Sequence, residues 1–250
     1  MLKKFSAILL GSMILASTTS ADPIHTPEGN APLVRWTVVT AKDDSIDEIL
    51  ELEEKLVTPA KDLEPGTYYL YSGIDESNPN VMRTLEIYEN SDAYRLHITS
   101  KNFREYQAKR LPMVEDVKSL EVIPIVLEQK KSGTGLVVCM HRYEISPESL
   151  SDYQDLVTAE AERSVRDEDG VIGIYVTAEI DKPNVIHTME IFRNTLARNK
   201  YLKSKTYKNF QSQLAPMIQS QTDIENLPTH IDMSEKGMRT GRDFLFNPFG

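Results

Sequence analysis

The chain has 250 residues with 38 acidic and 28 basic side chains, so its formal net charge is −10 at neutral pH. This acidic balance argues against nucleic acid or an anionic membrane surface as a partner. Cys139 is the only cysteine, which excludes an intrachain disulfide and leaves the core to hold the fold together. The histidines and this cysteine show no metal-ligand spacing, and no glycine-rich strand-to-helix loop suggests a nucleotide. The sequence therefore predicts no metal and no other cofactor.

The first 21 residues have the pattern of a cleavable signal peptide. Lys3 and Lys4 precede an apolar run at 5–16, and the small residues up to Ala21 suit a signal peptidase. We expect cleavage after Ala21, an N-terminal extension over 22–32, and a mature protein in the periplasm or secreted. Loss of the two lysines changes the net charge from −10 to about −12. No other apolar stretch approaches ~20 residues, so no membrane partner is expected after cleavage.

Residues 33–127 read as strand, helix, strand, strand, helix, strand. The first strand is predicted at Leu33–Thr40, which is rich in β-branched residues. Ser45 and Glu48 form a capping-box pattern that opens an amphipathic helix. The remaining strands are predicted at Thr67–Ile74, Val81–Tyr88 and Leu120–Leu127, with helical stretches starting near Ser91 and Thr99 before the last of them.

A second copy of this pattern follows a polar, glycine-containing linker at 128–135. It covers 136–229, and the segment Gly66–Met113 recurs in it as Gly170–Met217 without a gap. Roughly fifteen of about fifty positions are identical, which indicates an internal duplication. The last strand of this copy, near Ile224–Leu227, has the weaker pattern.

Residues 230–250 form a C-terminal tail of poor periodicity. Phe244, Leu245, Phe246 and Phe249 are apolar side chains that a free chain end does not need. Two hypotheses are compatible with this pattern: the tail docks into a groove of this protein or of a partner, or it is a frayed chain end.

Two βαββαβ units place the chain in the α+β class. In each unit two helices cover one face of the sheet, and the other face needs a partner sheet. The second copy can supply that partner, so we expect the two copies to pack sheet to sheet within one polypeptide.

One strand and the helix after it resemble a known family. The similarity to the signature of the antibiotic biosynthesis monooxygenase family lies in the strand Thr84–Tyr88, in Asn90–Ala93, and in His97, Thr99 and Phe103. The resemblance extends over about 33–124 and 137–228. It implies tandem ferredoxin-like repeats that form an intrachain dimeric α/β barrel. Enzymes of this family include monooxygenases that oxidise phenols and quinols without metal or flavin, haem-degrading enzymes and isomerases of small molecules.

Three side chains of the first copy are candidates for catalysis. Glu86 and Tyr88 share a strand face by alternation, and His97 lies on the following helix, so the three could converge on one cavity. An imidazole is the natural general base for a phenol; Glu86 could orient it and Tyr88 could donate a hydrogen bond to developing negative charge. Structural roles also stay open, because His97 and Tyr88 suit packing and a buried carboxylate can satisfy backbone donors.

Three aromatic residues of the same copy, Trp36, Phe103 and Tyr106, are candidates for substrate binding. Trp36 could form an apolar wall against an aromatic ring. The alternative is that all three belong to the core, where large aromatic side chains usually contribute burial.

The second copy departs from this set of residues. Tyr201 stands where the first copy has His97, Phe192 where it has Tyr88, and Met140 where it has Trp36. If only one half is catalytic, we therefore expect it to be the first. The haem-degrading alternative is weakened because Gln107 and Gln211 stand where the resemblance calls for an iron-binding histidine, and glutamine is a poor iron ligand.

Two functions from different classes follow from the sequence. The first is an exported, cofactor-independent monooxygenase that acts on a small phenol or quinol. The alternative is a non-catalytic module that binds a small aromatic or apolar molecule. Further self-association of the fused pair stays open.

Overall fold

The computed structural model of the protein describes residues 32–130, 136–224, 226–233 and 238–239. The predicted signal peptide, nearly all of the N-terminal extension and the aromatic residues of the tail lie outside the described residues. The first half contains β1 (Leu33–Ala41), α1 (Ile46–Leu56), α2 (Ala60–Leu63), β2 (Thr67–Asp75), β3 (Asn78–Tyr88), α3 (Ser91–Thr99), α4 (Lys101–Arg110) and β4 (Val114–Gln129). The second half contains β5 (Val137–Ile145), α5 (Leu150–Asp167), β6 (Val171–Glu179), β7 (Val185–Phe192), α6 (Thr195–Lys203), α7 (Lys205–Leu214), β8 (Ile218–Ile224), β9 (Asn226–Met233) and β10 (Met238–Arg239).

Each half forms an antiparallel four-stranded sheet with the ferredoxin-like order. In the first half the order is β4-β1-β3-β2, and in the second half it is β8-β5-β7-β6. The central pairing of the first half sets Arg35 opposite Glu86 and Trp36 opposite Leu85. Because side chains alternate along a strand, this register decides which residues face the helices and which face the other sheet.

The strands β4 and β9 join the two halves. The early part of β4 pairs with β1, and its later part pairs with β6 from Val122 opposite Glu179 to Gln129 opposite Gly173. The strands β8 and β9 make the corresponding connection, because β9 begins two residues after β8 ends. β8 pairs with β5, and β9 pairs with β2 of the first half. Since β8 and β9 stand at the two ends of the strand order, the sheet closes on itself as a barrel. The α+β fold with tandem ferredoxin-like repeats is confirmed.

Strand residues from both halves pack against each other in the barrel interior. Tyr69 and Tyr71 point inward from β2, and Tyr175 and Met189 meet them from the second half. The rings of Tyr69 and Tyr175 pack edge to face with 5.1 Å between centroids. Separate apolar clusters join each sheet to its own helices on the outside. Burial of the inner sheet faces therefore holds the halves together.

The last strand of each half is longer than the sequence predicted. Strand β4 begins at Val114, and its first part is polar and exposed, so it lacks the apolar alternation that defined the prediction at Leu120–Leu127. It also runs through Gln129 into the predicted linker, where Glu128 and Gln129 are buried. In the second half, β8 and β9 together replace the short strand predicted near Ile224–Leu227. Barrel closure, which is a long-range interaction, sets these lengths.

The helix caps also differ from the prediction. Ser45 precedes α1, but its side chain makes no capping hydrogen bond, so the capping box does not form. The helix α3 begins at Ser91, and its cap is Asn90, whose Oδ1 accepts hydrogen bonds from the backbone N–H groups of Asp92 and Ala93. The helix α4 begins at Lys101, two residues after the predicted start near Thr99, and its cap is Ser100. Asparagine and serine side chains compete for the same orphan N–H groups, and local backbone geometry selects between neighbours.

Candidate active site

A cavity of about 310 Å³ lies between the sheet and the helices of the first half. We call it the first-half cavity. Strands β1, β3 and β4 and helices α1, α3 and α4 contribute its walls. The side chains used below are Arg35, Glu53, Glu86, Tyr94, Phe103, Tyr106, Gln107 and Arg110. This volume is at the lower end of the range for small-molecule sites.

Strand alternation and helical periodicity bring these groups together. Arg35 and Glu86 are register partners on β1 and β3, so both side chains point toward the helices. On α4, Phe103, Tyr106 and Arg110 follow the i, i+3, i+7 spacing of one helix face. The site is therefore built on rigid elements rather than on loops.

Glu53 is a buried carboxyl in the wall of this cavity. It is 7% exposed, and burial raises the pKa of its carboxyl to about 7. The nearby negative charge of Glu86 acts in the same direction, whereas a hydrogen bond from Ser72 and the charge of Arg110 oppose it. A carboxyl that titrates near neutrality is suited to accept or deliver a proton under physiological conditions.

Glu86 is a second carboxyl in the same cavity. Burial raises its pKa, and His97, Arg35 and Arg110 oppose that rise by stabilising the carboxylate. Two acidic groups with perturbed titration therefore face one cavity, a pattern typical of acid–base sites.

Two arginines supply positive charge opposite these carboxyls. The guanidinium of Arg35 lies 4.6 Å from the centre of the Tyr94 ring and 3.5 Å from a Glu121 oxygen. The Nη2 of Arg110 donates a hydrogen bond of 3.0 Å to the Gln107 side-chain oxygen. These groups can stabilise an anion that forms in the cavity.

His97 lies behind the wall of the cavity. It is 1% exposed, its Nδ1 is 2.8 Å from Oε2 of Glu64, and its ring contacts Phe103 with 4.6 Å between centroids. The sequence suggests Glu86 as the carboxylate that orients His97. In the structure this carboxylate is Glu64. The Nε2 atom is buried and has no hydrogen-bond partner among the described residues.

Tyr88 also lies behind the wall, beside His97. The two rings are 5.4 Å apart, and the buried Tyr88 hydroxyl interacts with the Glu86 carboxylate. Burial raises the pKa of this hydroxyl far above its usual range, so it stays protonated. Tyr88 and His97 are thus neighbours of Glu86, but neither lines the cavity.

Phe103 and Tyr106 line the first-half cavity as predicted binding residues would, and Trp36 does not. Trp36 lies on the opposite face of β1, because its register partner Leu85 points into the barrel. It lines a different cavity, and its Nε1 donates a hydrogen bond of 3.1 Å to Thr177 of the second half. Trp36 therefore lies apart from Phe103 and Tyr106, because a residue adjacent to Arg35 on a strand faces the other way.

Sequence reasoning missed four residues of this cavity and the partner of His97, which is Glu64. A comparison of the two copies could have found the four: at a separation of 104 residues Cys139, Val157, Arg198 and Leu214 stand where the first copy has Arg35, Glu53, Tyr94 and Arg110. Residues that differ in charge between copies with the same fold mark where their chemistry differs.

Gln107, at the position considered for an iron ligand, has its side-chain oxygen occupied by Arg110. Within the described residues there is no group of three or more His, Cys, Asp or Glu side chains placed to hold a metal ion. In the same part of the chain, no helix is both long and apolar enough to cross a membrane.

The closed barrel of two ferredoxin-like repeats, with a cavity between sheet and helices, defines an α/β barrel protein of the dimeric type. The sequence profile described as "Antibiotic biosynthesis monooxygenase" matches residues 32–109 and 136–213, which together make up more than half of the chain. The chain belongs to this family.

Solved structures support the same fold. A candidate monooxygenase from Lactobacillus acidophilus NCFM superposes with a TM-score of 0.79 at 19% identity, covering 84% of this chain and 99% of that one. A candidate monooxygenase from Fusobacterium nucleatum gives a TM-score of 0.78 at 17% identity, covering 85% and 98%. An anthrone oxidase-like protein gives 0.54 at 8% identity, covering 84% and 96%. A comparison with curated proteins finds no significant match.

Proposed function

We propose that the first half is a cofactor-independent monooxygenase that oxidises a small phenol or quinol in the first-half cavity, in a protein that is exported. The observation that carries this proposal is the pair of buried Glu53 and half-buried Glu86, two carboxyls with raised pKa values that line one small cavity together with Arg35 and Arg110. Membership of the family supports the reaction class.

The chemistry assigned to Glu53 is removal of a proton from the substrate. Its pKa of about 7 lets a substantial fraction be ionised at neutral pH while it remains basic enough to accept a phenolic proton. The resulting phenolate can give one electron to dioxygen, and the substrate radical and superoxide combine to a peroxide on a ring carbon. The peroxide takes the proton back from Glu53, and a hydroperoxide on a carbon that carries a hydrogen then loses water to leave a carbonyl. One oxygen atom ends in the product and the other in water.

The other cavity groups have supporting roles in this proposal. Arg35 and Arg110 stabilise the phenolate, and Phe103 and Tyr106 form the apolar wall against the ring. Behind that wall, His97 packs against the Phe103 ring and Tyr88 interacts with the Glu86 carboxylate, and both hold these side chains in position. In this arrangement Glu53 replaces His97 as the general base.

Oxygen uptake with a panel of quinols and anthrone tests the proposal. The wild-type protein should consume oxygen with at least one of them, and Glu53→Gln should lower kcat/KM by about 100-fold or more, because a positioned general base contributes about 10²–10⁴-fold. Glu51→Gln is the matched control, since Glu51 is exposed on the same helix. Its activity should equal that of the wild type.

Two results would contradict the assignment. Full activity of Glu53→Gln would remove Glu53 from the reaction. Absence of uptake with the whole panel, together with binding of the same compounds, would favour the non-catalytic module.

A further inference from the structure

A second cavity, of about 480 Å³, lies inside the barrel between the two halves. We call it the interior cavity. Its walls come in corresponding pairs at a separation of 104 residues, for example Leu120 with Ile224 and Lys118 with Thr222. The cavity therefore lies on the pseudo-twofold axis and is separate from the first-half cavity on the helix side.

Two corresponding pairs break the symmetry of the interior cavity. In the first pair, Trp36 of the first half corresponds to Met140 of the second half. In the other pair, Val38 of the first half corresponds to Arg142 of the second half. The first half thus contributes the aromatic wall, and the second half contributes a guanidinium in addition to that of Arg83, which is paired with Asp75.

The Trp36 ring is held in place by a chain of hydrogen bonds. Its Nε1 donates to Thr177 Oγ1, and that hydroxyl donates to the backbone oxygen of His187, with distances of 3.1 and 3.2 Å. The Trp36 and His187 rings lie 6.1 Å apart. An oriented indole next to apolar side chains is suited to contact a flat aromatic ligand.

The charged side chains that line the cavity are basic, and most of them have a carboxylate partner outside the lining. His141 lies 2.8 Å from Asp223, and His187 lies 3.0 Å from Glu179. Arg83 is neutralised by Asp75 at 2.7 Å, and Lys118 has Asp116 at 3.4 Å. The Arg142 guanidinium is half-buried and makes no hydrogen bond or ion pair with any described residue. Since a guanidinium carries five donors, an unpaired one at an apolar cavity is a ready site for an anion.

His187 is a further side chain of the lining that already has a partner. Burial lowers its pKa, the hydrogen bond and the charge of Glu179 oppose this, and the charges of Arg142 and Arg83 have smaller effects in the direction of burial. Among the described side chains that line the cavity, none is a carboxylate.

We propose that the interior cavity binds a small aromatic anion, whose ring system stacks against Trp36 and whose anionic group pairs with Arg142. The apolar floor consists of Leu120, Met140 and Ile224, which pack on the interior cluster. The site needs both halves in one chain. It is independent of the proposed oxygenase activity, because it shares none of the carboxyls or aromatic residues assigned to that reaction.

The test uses two fluorescent probes that differ by one anionic sulfonate group: 8-anilinonaphthalene-1-sulfonate and neutral N-phenyl-1-naphthylamine. Trp36 is the only tryptophan, so energy transfer from tryptophan reports binding, and the variants decide between the two cavities that border β1. The wild type should bind the sulfonate about 10-fold more tightly than the neutral probe, as expected for a charge-assisted hydrogen bond. Arg142→Gln should remove this preference and leave affinity for the neutral probe unchanged.

Two further variants locate the site. Arg104→Gln removes an exposed arginine and controls for net charge. Lys118→Gln, at the exposed mouth, should lower sulfonate affinity by about threefold without affecting the fold. Equal affinity of the wild type for both probes would overturn the proposal. So would loss of sulfonate binding in Arg110→Gln but not in Arg142→Gln, because the probe would then occupy the first-half cavity.

Discussion

The two halves share one fold but differ in what lies between sheet and helices. The first half keeps a cavity of about 310 Å³, whereas the corresponding space in the second half is about 30 Å³. Tyr143 and Tyr153, which stand where the first half has Val39 and Ile49, fill that space. Duplication has thus left one half with an open polar cavity and the other with a packed core.

The polar groups changed together with the volume. The shared carboxyl Glu190 stays buried with a raised pKa in the second half, but Val157 and Leu214 replace the acid–base and cationic partners that Glu86 has. Tyr201, in the place of His97, donates a hydrogen bond to Glu160 at 2.9 Å. A carboxyl that persists in both halves therefore reports the common scaffold, and Glu53, Arg35 and Arg110 report what is specific to the first.

The largest expected effect comes from emptying the packed half. Tyr153 is 1% exposed, so Tyr153→Ala should lower the free energy of unfolding by about 3–5 kcal/mol. Phe103→Ala removes a ring that already borders an open cavity and should lower it by only about 1–2 kcal/mol. Urea denaturation of both variants measures the difference. Equal losses would contradict the contrast between a filled and an open half.

The next largest effect is the pH dependence of the free energy of unfolding, to which Glu53 of the first half contributes. Glu53 has a folded-state pKa of about 7 against an ordinary value of 4.5, so the protein loses stability as pH rises through this window. Glu53→Gln removes that loss, and its advantage over the wild type should grow by up to about 3 kcal/mol between pH 4.5 and 8. The second half has Val157 at the position that corresponds to Glu53, so it has no ionisable group there. Denaturation curves at both pH values provide the measurement, and a constant difference would refute the raised pKa.

A packing contact common to both halves should respond equally in each. A Cβ on Gly66 would lie 2.5 Å from Cβ of Ala93, and Gly170 lies equally close to Ala197. Gly66→Ala and Gly170→Ala should therefore each lower the melting temperature, by an amount equivalent to about 2 kcal/mol. If only one of the two variants is destabilised, the halves differ in scaffold as well as in chemistry.

The sequence was sufficient for the fold because a duplication and a strand–helix pattern are both local signals. Leu33–Thr40 and Val81–Tyr88 lie within the observed β1 and β3, since their apolar side chains are buried by the nearest elements. The polar start of β4 was missed because only pairing with β1 makes it a strand. Long-range pairing leaves no periodic signal in such a segment.

The site was harder to predict than the fold for a related reason. Phe103, Tyr106 and Glu86 could be placed because each belongs to a helix face or to a strand alternation. Placing Trp36 required the register of β1 against β3, and finding Glu53 required knowing how α1 packs on the sheet. Glu64, the partner of His97, lies 33 residues away in the chain, just after α2, and no motif marks it.

The smallest expected effect concerns the helix caps, where the sequence pattern and the structure disagree within one half. Asn90 accepts hydrogen bonds from two backbone N–H groups, so Asn90→Ala should lower the free energy of unfolding by about 1 kcal/mol. Asn194, the counterpart in the second half, accepts one such bond, and Asn194→Ala should have a slightly smaller effect. Ser45 has the cap sequence but makes no capping bond, so Ser45→Ala should change stability by less than about 0.5 kcal/mol. Thermal unfolding of the three variants orders them, and a loss for Ser45→Ala as large as that for Asn90→Ala would show that the capping box forms in solution.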